Sequence, residues 1–300
     1  MASFPDLLRN GPVLLDGGLG TLLDSRGHDV SGRLWSARVL RDEPQAILDA
    51  HTEFFAAGAR VATSASYQVS RDGFARAGLA EEDADRALAT SVRIAREAAD
   101  RAGRGNVVAA SVGPYGAALA DGSEYRGDYG LSVADLVAWH RPRIERLWEA
   151  GPDVLAVETI PSLAEAEAVA RALEGTGAVA WLSFTVAGAA LRSGEPLDDA
   201  FGIADSSPEI VATGVNCCAP GEVMPALESL RRSTSTHAIA YPNSGEEWDA
   251  KNRVWMGDAD LPHDLVATWI DAGLAAVGGC CRVGPEHLGA IAQGLTTRRA

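Results

Sequence analysis

The four cysteines of the chain form two adjacent pairs, each at the end of a short strand-like segment. Cys217 and Cys218 close one such segment, and Cys280 and Cys281 close the other. Neighbouring cysteines rarely form a disulfide with each other, because the ring that would close strains the peptide bond between them. Three or four thiolates are a typical ligand set for Zn²⁺, and an open fourth position is typical of a catalytic zinc. The two pairs therefore indicate a zinc site, with four buried core cysteines as the alternative.

Two acidic residues also lie at the ends of predicted strands. Asp16 precedes the glycine-rich turn Gly17–Thr21, and Glu158 follows a run of apolar residues. Backbone N–H groups in such a turn can approach an anion closely, and a buried carboxylate needs a positive partner. Asp16, Glu158 and the turn with Gly17 and Gly18 would together fit the head group of an α-amino acid. The alternatives are an Asp16 side chain that caps its own loop and a structural ion pair at Glu158.

Aromatic side chains are frequent in the segments that follow predicted strands. These are Tyr67, Tyr115, Tyr125, Tyr129, Tyr241, Trp248 and Trp255. Ring faces attract cations, including sulfonium and quaternary ammonium groups. For any one of these residues, packing within its loop is the alternative.

Short apolar runs alternate with helical stretches along the chain. We predict eight strands, at residues 13–16, 60–66, 106–112, 154–159, 179–186, 210–217, 237–242 and 275–279. Most are continuous apolar runs, as expected for parallel strands that are buried on both faces. Helices are predicted at 84–102, from Ser132 to about 150 with a kink at Pro142, and from Ser162 to about 173. Ser132 and Ser162 each begin a capping-box pattern.

Eight strands that alternate with helices, without a linker or a break in composition, predict an α/β fold, a single (β/α)₈ TIM barrel over residues 1–300. A doubly wound open sheet is the alternative, but no GxGxxG or Walker motif follows the first strand. In a barrel, the carboxyl ends of all strands surround one mouth, so Asp16, Glu158, Asn216 and the cysteines would share a cavity. Strand alternation indicates that only one of Cys217 and Cys218 points into it.

Charge and hydropathy exclude several classes of partner. The 300 residues carry a formal net charge of −15, which disfavours binding to nucleic acid and to anionic membranes. No stretch approaches the roughly 20 apolar residues of a membrane span, and the first ten residues lack the pattern of a signal peptide. We therefore expect a cytoplasmic protein with reduced cysteines.

Several motifs taken together resemble the homocysteine S-methyltransferase family, over nearly the whole chain. They are Asp16–Thr21, Ala65–Gln68, Ser111–Gly116, Asp121–Tyr129, Glu158–Thr159, Gly214–Cys217, Tyr241–Glu246 and Gly278–Cys281. The combination of GVNC and GGCC is specific to the wider family. The loop from Ser111 to Tyr129 is most similar to the branch that uses S-methylmethionine or S-adenosylmethionine.

The resemblance implies a (β/α)₈ barrel with one zinc ion held by Cys217, Cys280 and Cys281. It excludes Cys218 as a ligand, since the family does not require cysteine there. It also implies that Asp16 and Glu158 hold the head group of homocysteine. We further expect Gly17, Gly18 and Asn216 to contact this substrate.

The implied reaction is transfer of a methyl group from a sulfonium to the homocysteine thiol, which yields methionine. Zinc would favour the thiolate, the nucleophilic form of the acceptor. Tyr67, Tyr115 and Tyr129 are the expected contacts of the methyl donor. Two alternatives remain open from the sequence: betaine as the donor, and a thiol-rich protein that binds zinc or senses oxidants without turnover.

Overall fold

Eight parallel strands form the centre of the molecule in a computed structural model that describes residues 3–30, 36–249, 254–257, 261 and 263–299. In chain order they are β1 (Val13–Leu14), β2 (Val61–Thr63), β3 (Val107–Val112), β4 (Val154–Ile160), β5 (Ala180–Phe184), β6 (Ile210–Asn216), β7 (His237–Tyr241) and β8 (Leu274–Val277). Each strand from β2 to β7 pairs with the next one along the chain, and β8 pairs with β1. All eight predicted strands are present, within a few residues of their predicted bounds.

The sheet closes between β1 and β2 through single contacts instead of a regular ladder. The N–H group of Arg60 donates to the carbonyl of Leu14 over 2.8 Å. One step further, the Asp16 carboxylate accepts hydrogen bonds from the backbone N–H of Thr63 at 2.6 Å and from its hydroxyl at 2.7 Å. These contacts join the two ends of the sheet, and the predicted (β/α)₈ barrel is confirmed.

Helices surround the barrel, and most of them connect successive strands, whereas the first precedes β1 and the last follows β8. They are Phe4–Arg9, Leu19–Ser25, Ser36–Asp42, Pro44–Ala56, Arg71–Arg76, Glu81–Ala102, Tyr115–Leu119, Val133–Glu149, Leu163–Leu173, Leu197–Asp205, Val223–Ser233, His263–Asp271 and Pro285–Arg299, with 3₁₀ turns at Ser123–Tyr125 and Pro220–Glu222. Two small antiparallel hairpins, Val186–Ala187 with Ala190–Leu191 and Glu247–Asp249 with Val254–Met256, were not predicted. Within the described part of the chain, no helix is long and apolar enough to cross a bilayer.

The two predicted capping boxes differ in outcome. Ser132 forms a complete box. Its hydroxyl accepts a hydrogen bond from the N–H of Asp135, and the Asp135 carboxylate accepts one from the N–H of Ser132. Ser162 also accepts from the N–H of Glu165, at 3.3 Å. The Glu165 carboxylate, however, accepts from the backbone of Tyr115 instead of closing the box. A tertiary contact therefore replaces half of the second box.

Two buried apolar layers hold the barrel together. The larger layer lies between the strands and the surrounding helices, and the smaller one fills the barrel interior. In the interior, Phe4 from the N-terminal helix packs against Trp181 of β5, with ring centroids 5.2 Å apart. The Trp181 indole N–H donates to the hydroxyl of Tyr241 at 2.9 Å. This bond connects the apolar interior to the polar residues at the carboxyl ends of the strands.

Candidate active site

Three thiols meet at the carboxyl ends of β6 and β8. The Sγ atom of Cys281 lies 3.9 Å from that of Cys217 and 4.0 Å from that of Cys280. All three sulfurs lie within 4.8 Å of one another. Three sulfurs that each bind one tetrahedral zinc at about 2.3 Å are separated by about 3.8 Å. The spacing of these thiols therefore suits a single metal ion.

A left-handed turn at the end of β6 separates Cys217 from Cys218. Cys217 has φ +51°, a conformation that is uncommon outside glycine. Its N–H donates to the carbonyl of Tyr241, and its carbonyl accepts from the hydroxyl of Thr185, both at 3.2 Å. Cys218 then lies fully buried in the apolar layer under the helices, where burial raises the pKa of its thiol. The two side chains diverge as predicted, but because of this turn and not because of strand alternation.

Two glycines bring the end of β8 against β1. A Cβ atom on Gly278 would lie 2.6 Å from Cβ of Leu15, and one on Gly279 would lie 2.1 Å from a methyl carbon of Val283. Both distances are far below normal contact, so neither position accepts a side chain. The N–H of Cys280 then donates to the carbonyl of Pro242 at 2.7 Å. This close packing fixes the backbone that carries Cys280 and Cys281.

The three thiols readily share one negative charge and resist further ionisation. Hydrogen bonds from Cys280 and Cys281 hold the pKa of Cys217 well below its ordinary value. The same contacts with Cys217 raise the pKa of Cys280 and of Cys281. Such thiols titrate as a group. A bound metal cation would supply the positive charge needed to keep all three ionised.

The thiol cluster forms one wall of a pocket at the mouth of the barrel. The pocket encloses an empty volume of about 840 Å³, which includes the open space at its mouth. Three acidic residues, Asp16, Glu124 and Glu158, line it together with Tyr67 and Tyr125. Among the described lining residues there is no Lys, Arg or His. The pocket is therefore suited to positively charged groups.

Asp16 and Glu158 are both buried in this pocket. Burial raises the pKa of Asp16 to about 6, although Thr63 donates two hydrogen bonds to its carboxylate. Burial also raises the pKa of Glu158 to about 7, against a hydrogen bond from Ser111, and the charge of Asp16 adds to the rise. An ammonium group between them would offset this cost. Asp16 also closes the barrel, a second role that its sequence context did not indicate.

Gly17 and Gly18 line the pocket as well, but their first constraint is space. A Cβ atom would lie 2.2 Å from the carbonyl oxygen of Val283 at Gly17 and 2.4 Å from that of Cys280 at Gly18. The N–H of Gly18 donates to the Val283 carbonyl at 3.0 Å. This amide is thus already engaged and is not free to bind a substrate carboxylate.

Asn216 is fully buried and is not among the residues that line the pocket. Its Oδ1 accepts from the N–H of Thr159 at 2.7 Å and from the hydroxyl of Ser183 at 2.8 Å, and its Nδ2 donates to the Thr159 hydroxyl at 2.8 Å. Thr159 has φ +62°, an outlier for a β-branched residue. The structure therefore places Asn216 as a support for the residues beside Glu158 and Cys217, and not in contact with the pocket.

The three tyrosines expected at the donor do not lie together. Tyr67 lines the pocket, whereas Tyr115 and Tyr129 are not among its lining residues. Tyr115 packs against Tyr129 and Trp139, with ring centroids 5.3 Å and 5.2 Å apart. These contacts hold the loop after β3 from behind. The side chains of Trp248 and Trp255 lie outside the described residues.

Two residues of that same loop reach the pocket although neither was among the expected contacts of the donor. The Tyr125 hydroxyl lies 3.1 Å from Sγ of Cys217. Glu124, its neighbour, lines the pocket, and burial raises the pKa of its carboxyl group to about 7. Both belong to a 3₁₀ turn, Ser123–Tyr125, whose direction decides which tyrosine faces inward. No short-range pattern in the sequence distinguishes Tyr125 from Tyr115 or Tyr129.

Comparison with known proteins shows the family to which the chain belongs. The homocysteine S-methyltransferase family model matches residues 13–295. Homocysteine S-methyltransferase YbgG of Bacillus subtilis is 43% identical over 293 residues, which cover 93% of each chain. The Escherichia coli homocysteine S-methyltransferase is 42% identical over 290 residues, covering 93% of this chain and 94% of that one.

A solved structure shares the whole fold. The homocysteine methyltransferase MmuM from Escherichia coli, in its metallated form, superposes with a TM-score of 0.85 at 40% identity. The match covers 94% of this chain and 96% of that one. The resemblance inferred from the sequence motifs is confirmed. The chain belongs to the homocysteine S-methyltransferase family and is a methyltransferase.

Proposed function

We propose that this enzyme uses one zinc ion, held by Cys217, Cys280 and Cys281, and takes its methyl group from S-methylmethionine or S-adenosylmethionine. The single observation that carries the metal assignment is the spacing of the three sulfurs, 3.9 and 4.0 Å along two of its edges. An all-sulfur ligand set favours zinc over magnesium or calcium. When bound, zinc supplies a Lewis acid that lowers the pKa of the acceptor thiol.

Asp16 and Glu158 are proposed to hold the α-ammonium group of homocysteine. Both carboxylates line the pocket, and each has its pKa raised because burial disfavours its charge. An ammonium ion would restore the balance by donating charged hydrogen bonds, each worth about 1.5–3 kcal/mol. Ser111 and Thr63 already orient the two carboxylates, so the head group would meet groups that are fixed in place.

The reaction forms one sulfur–carbon bond and breaks another. The homocysteine sulfur attacks the methyl carbon of the donor, and the electron pair of the broken bond stays on the donor sulfur. The thiol proton is released, and the sulfonium becomes a neutral thioether. Burial raises the pKa of Tyr67 and of Tyr125 well above the ordinary value, so both rings stay neutral phenols beside a cationic donor. Their faces would attract the sulfonium and hold the product less strongly once its charge is lost.

Steady-state turnover with homocysteine and three donors tests this proposal. We expect kcat/KM for S-methylmethionine well above that for betaine, with S-adenosylmethionine also used. Removal of the metal with a chelator should abolish turnover, and added zinc should restore it. A clear preference for betaine would overturn the donor assignment. Full activity of metal-free enzyme would overturn the zinc assignment while leaving the family membership intact.

A further inference from the structure

The pocket contains one carboxylate more than the head group of homocysteine requires. Asp16 and Glu158 lie close enough for the charge of Asp16 to raise the pKa of Glu158. Glu124 comes from a different wall, the 3₁₀ turn in the loop after β3. The negative charge of Cys217 raises the pKa of both Glu124 and Glu158. The thiol cluster is therefore within electrostatic reach of two separate acidic positions in one pocket.

The Glu124 side chain is half-buried in the pocket wall, and one of its carboxylate oxygens is unsatisfied. Its Oε2 atom is shielded from solvent and has no hydrogen-bond partner among the described residues. Arg126, the nearest cation along the chain, pairs with Asp128, and both of those side chains are largely exposed. Leaving a buried acceptor without a donor costs about 1–3 kcal/mol. Glu124 lines the pocket, so a turn of its carboxyl group toward a ligand N–H group at this wall would remove that cost.

Glu124 lines the same pocket as Tyr67, one of the rings proposed to face the sulfonium. Burial is the main reason that the pKa of Tyr67 is raised, and the negative charge of Glu124 raises it further. Glu124 therefore lies beside the surface where the methyl donor is expected. An in-line displacement places acceptor and donor on opposite sides of the transferred methyl group, so the head groups of the two substrates need separate binding positions.

We propose that Glu124 accepts a hydrogen bond from the α-ammonium group of the methyl donor and so selects donors that are α-amino acids. This inference rests on the proposed function, since it assumes a sulfonium donor. A sulfonium centre has no N–H group and leaves Oε2 unsatisfied, whereas an ammonium group supplies both charge and hydrogen-bond donors. S-methylmethionine and S-adenosylmethionine both carry this ammonium group, and betaine has no N–H at all.

Kinetics of Glu124→Gln against Asp128→Asn test the assignment. Asp128 lies on the same loop, and its side chain is 72% exposed, so its replacement removes one charge without touching the pocket. We expect the KM for S-methylmethionine to rise about tenfold to hundredfold in Glu124→Gln. The KM for homocysteine, the metal content and the melting temperature should stay near wild type. Asp128→Asn should behave as wild type in every respect.

A competitor without an ammonium group supplies the decisive arm. Dimethylsulfoniopropionate keeps the sulfonium, and its inhibition constant against S-methylmethionine should differ by less than about twofold between wild type and Glu124→Gln, since the hydrogen bond in question is absent. Equal weakening of both sulfonium compounds would overturn the inference, as would an increase confined to the KM for homocysteine or no change at all. Absence of turnover by the wild type with any sulfonium donor would overturn the proposed donor, and this inference with it.

Discussion

The ends of β6 and β8 deliver thiols to the same cluster by different means. At β6, one cysteine of the adjacent pair reaches the pocket and the other is buried in the core, and the turn between them is held by buried hydrogen bonds. At β8, both cysteines reach the cluster, and two glycines let the backbone pack closely against β1 and Val283. Identical CC sequences at the two strand ends therefore acquire their roles from the backbone that precedes them.

Strain is stored at the end of β6 and at Thr159 near the end of β4, and one polar network supports both places. Positive φ values at Thr159 and Cys217 each cost of order 1–3 kcal/mol. The network runs from the Trp181 indole through the hydroxyls of Tyr241 and Ser183 to Asn216. All its members are buried, so each hydrogen bond lost would leave a donor or acceptor unsatisfied. At β8 the backbone is held by close packing around Gly278 and Gly279, so added side-chain atoms would disrupt it.

The largest expected effect on stability is therefore at β8. In Gly279→Ala the new methyl group would overlap three side-chain atoms of the fully buried Val283. We expect a loss of about 3 kcal/mol or more in the free energy of unfolding, together with reduced metal content, because the backbone before Cys280 must shift. Urea denaturation measures this change.

Gly289→Ala is the matched control for that variant. Gly289 lies in the helix Pro285–Arg299, and a Cβ atom there would meet nothing within 4 Å. Its replacement should be neutral or stabilise by up to about 1 kcal/mol. Equal behaviour of the two alanine variants would contradict the account of the β8 end.

The next largest effect is expected at β6, from removal of the network's end. Asn216→Ala leaves the N–H of Thr159 and the hydroxyl of Ser183 without their acceptor. We expect a loss of about 1–3 kcal/mol in unfolding free energy and a lower kcat, since the residues beside Glu158 and Cys217 lose support. Asn10→Ala, which removes one exposed hydrogen bond to the carbonyl of Asp6, should cost less, about 0.5 kcal/mol. Full activity and stability in Asn216→Ala would show that the positive φ conformations at Thr159 and Cys217 do not depend on the hydrogen bonds of Asn216.

A pH dependence is expected at Glu158, which lies next to the strained Thr159. Because the pKa of Glu158 rises from 4.5 to about 7 on folding, the folded state binds its proton more tightly than the unfolded state does. This contribution to stability is present below about pH 4.5 and is lost as pH rises through about 7. As the pH rises through that window, Glu158→Gln should become more stable relative to wild type, by at most about 1.4 kcal/mol per pH unit. Parallel stability curves for the two proteins would contradict the assigned burial effect.

Much of the barrel was predictable because its signals are local. Buried parallel strands give continuous apolar runs, and Ser132 begins its helix with a complete capping box, as its sequence indicates. The second box was only half formed because Glu165 also faces the backbone of Tyr115 and the ring of His140. No pattern within four residues reveals such competition from a distant segment.

The site was predictable only where residue type restricts the chemistry. Three thiols that end two strands indicate a metal cluster whatever the surrounding geometry. The role of Asn216 was not accessible, because its hydrogen-bond partners Thr159 and Ser183 lie 57 and 33 residues away along the chain. Tyr125 was indistinguishable from Tyr115 for a similar reason. Which of them faces the pocket depends on the turn at Ser123–Tyr125, and the sequence does not encode that turn in a short pattern.

The metal content of Cys217→Ser and Cys218→Ser distinguishes the zinc ligand from its neighbour, since the two positions are adjacent and the substitutions are identical. The central claim is that Cys217, and not its neighbour, joins Cys280 and Cys281 around one zinc ion. Elemental analysis of the purified proteins should find about one zinc per chain in wild type and in Cys218→Ser, and almost none in Cys217→Ser, since a three-sulfur site that loses one ligand binds zinc far more weakly. Zinc retained in Cys217→Ser and lost in Cys218→Ser would contradict it.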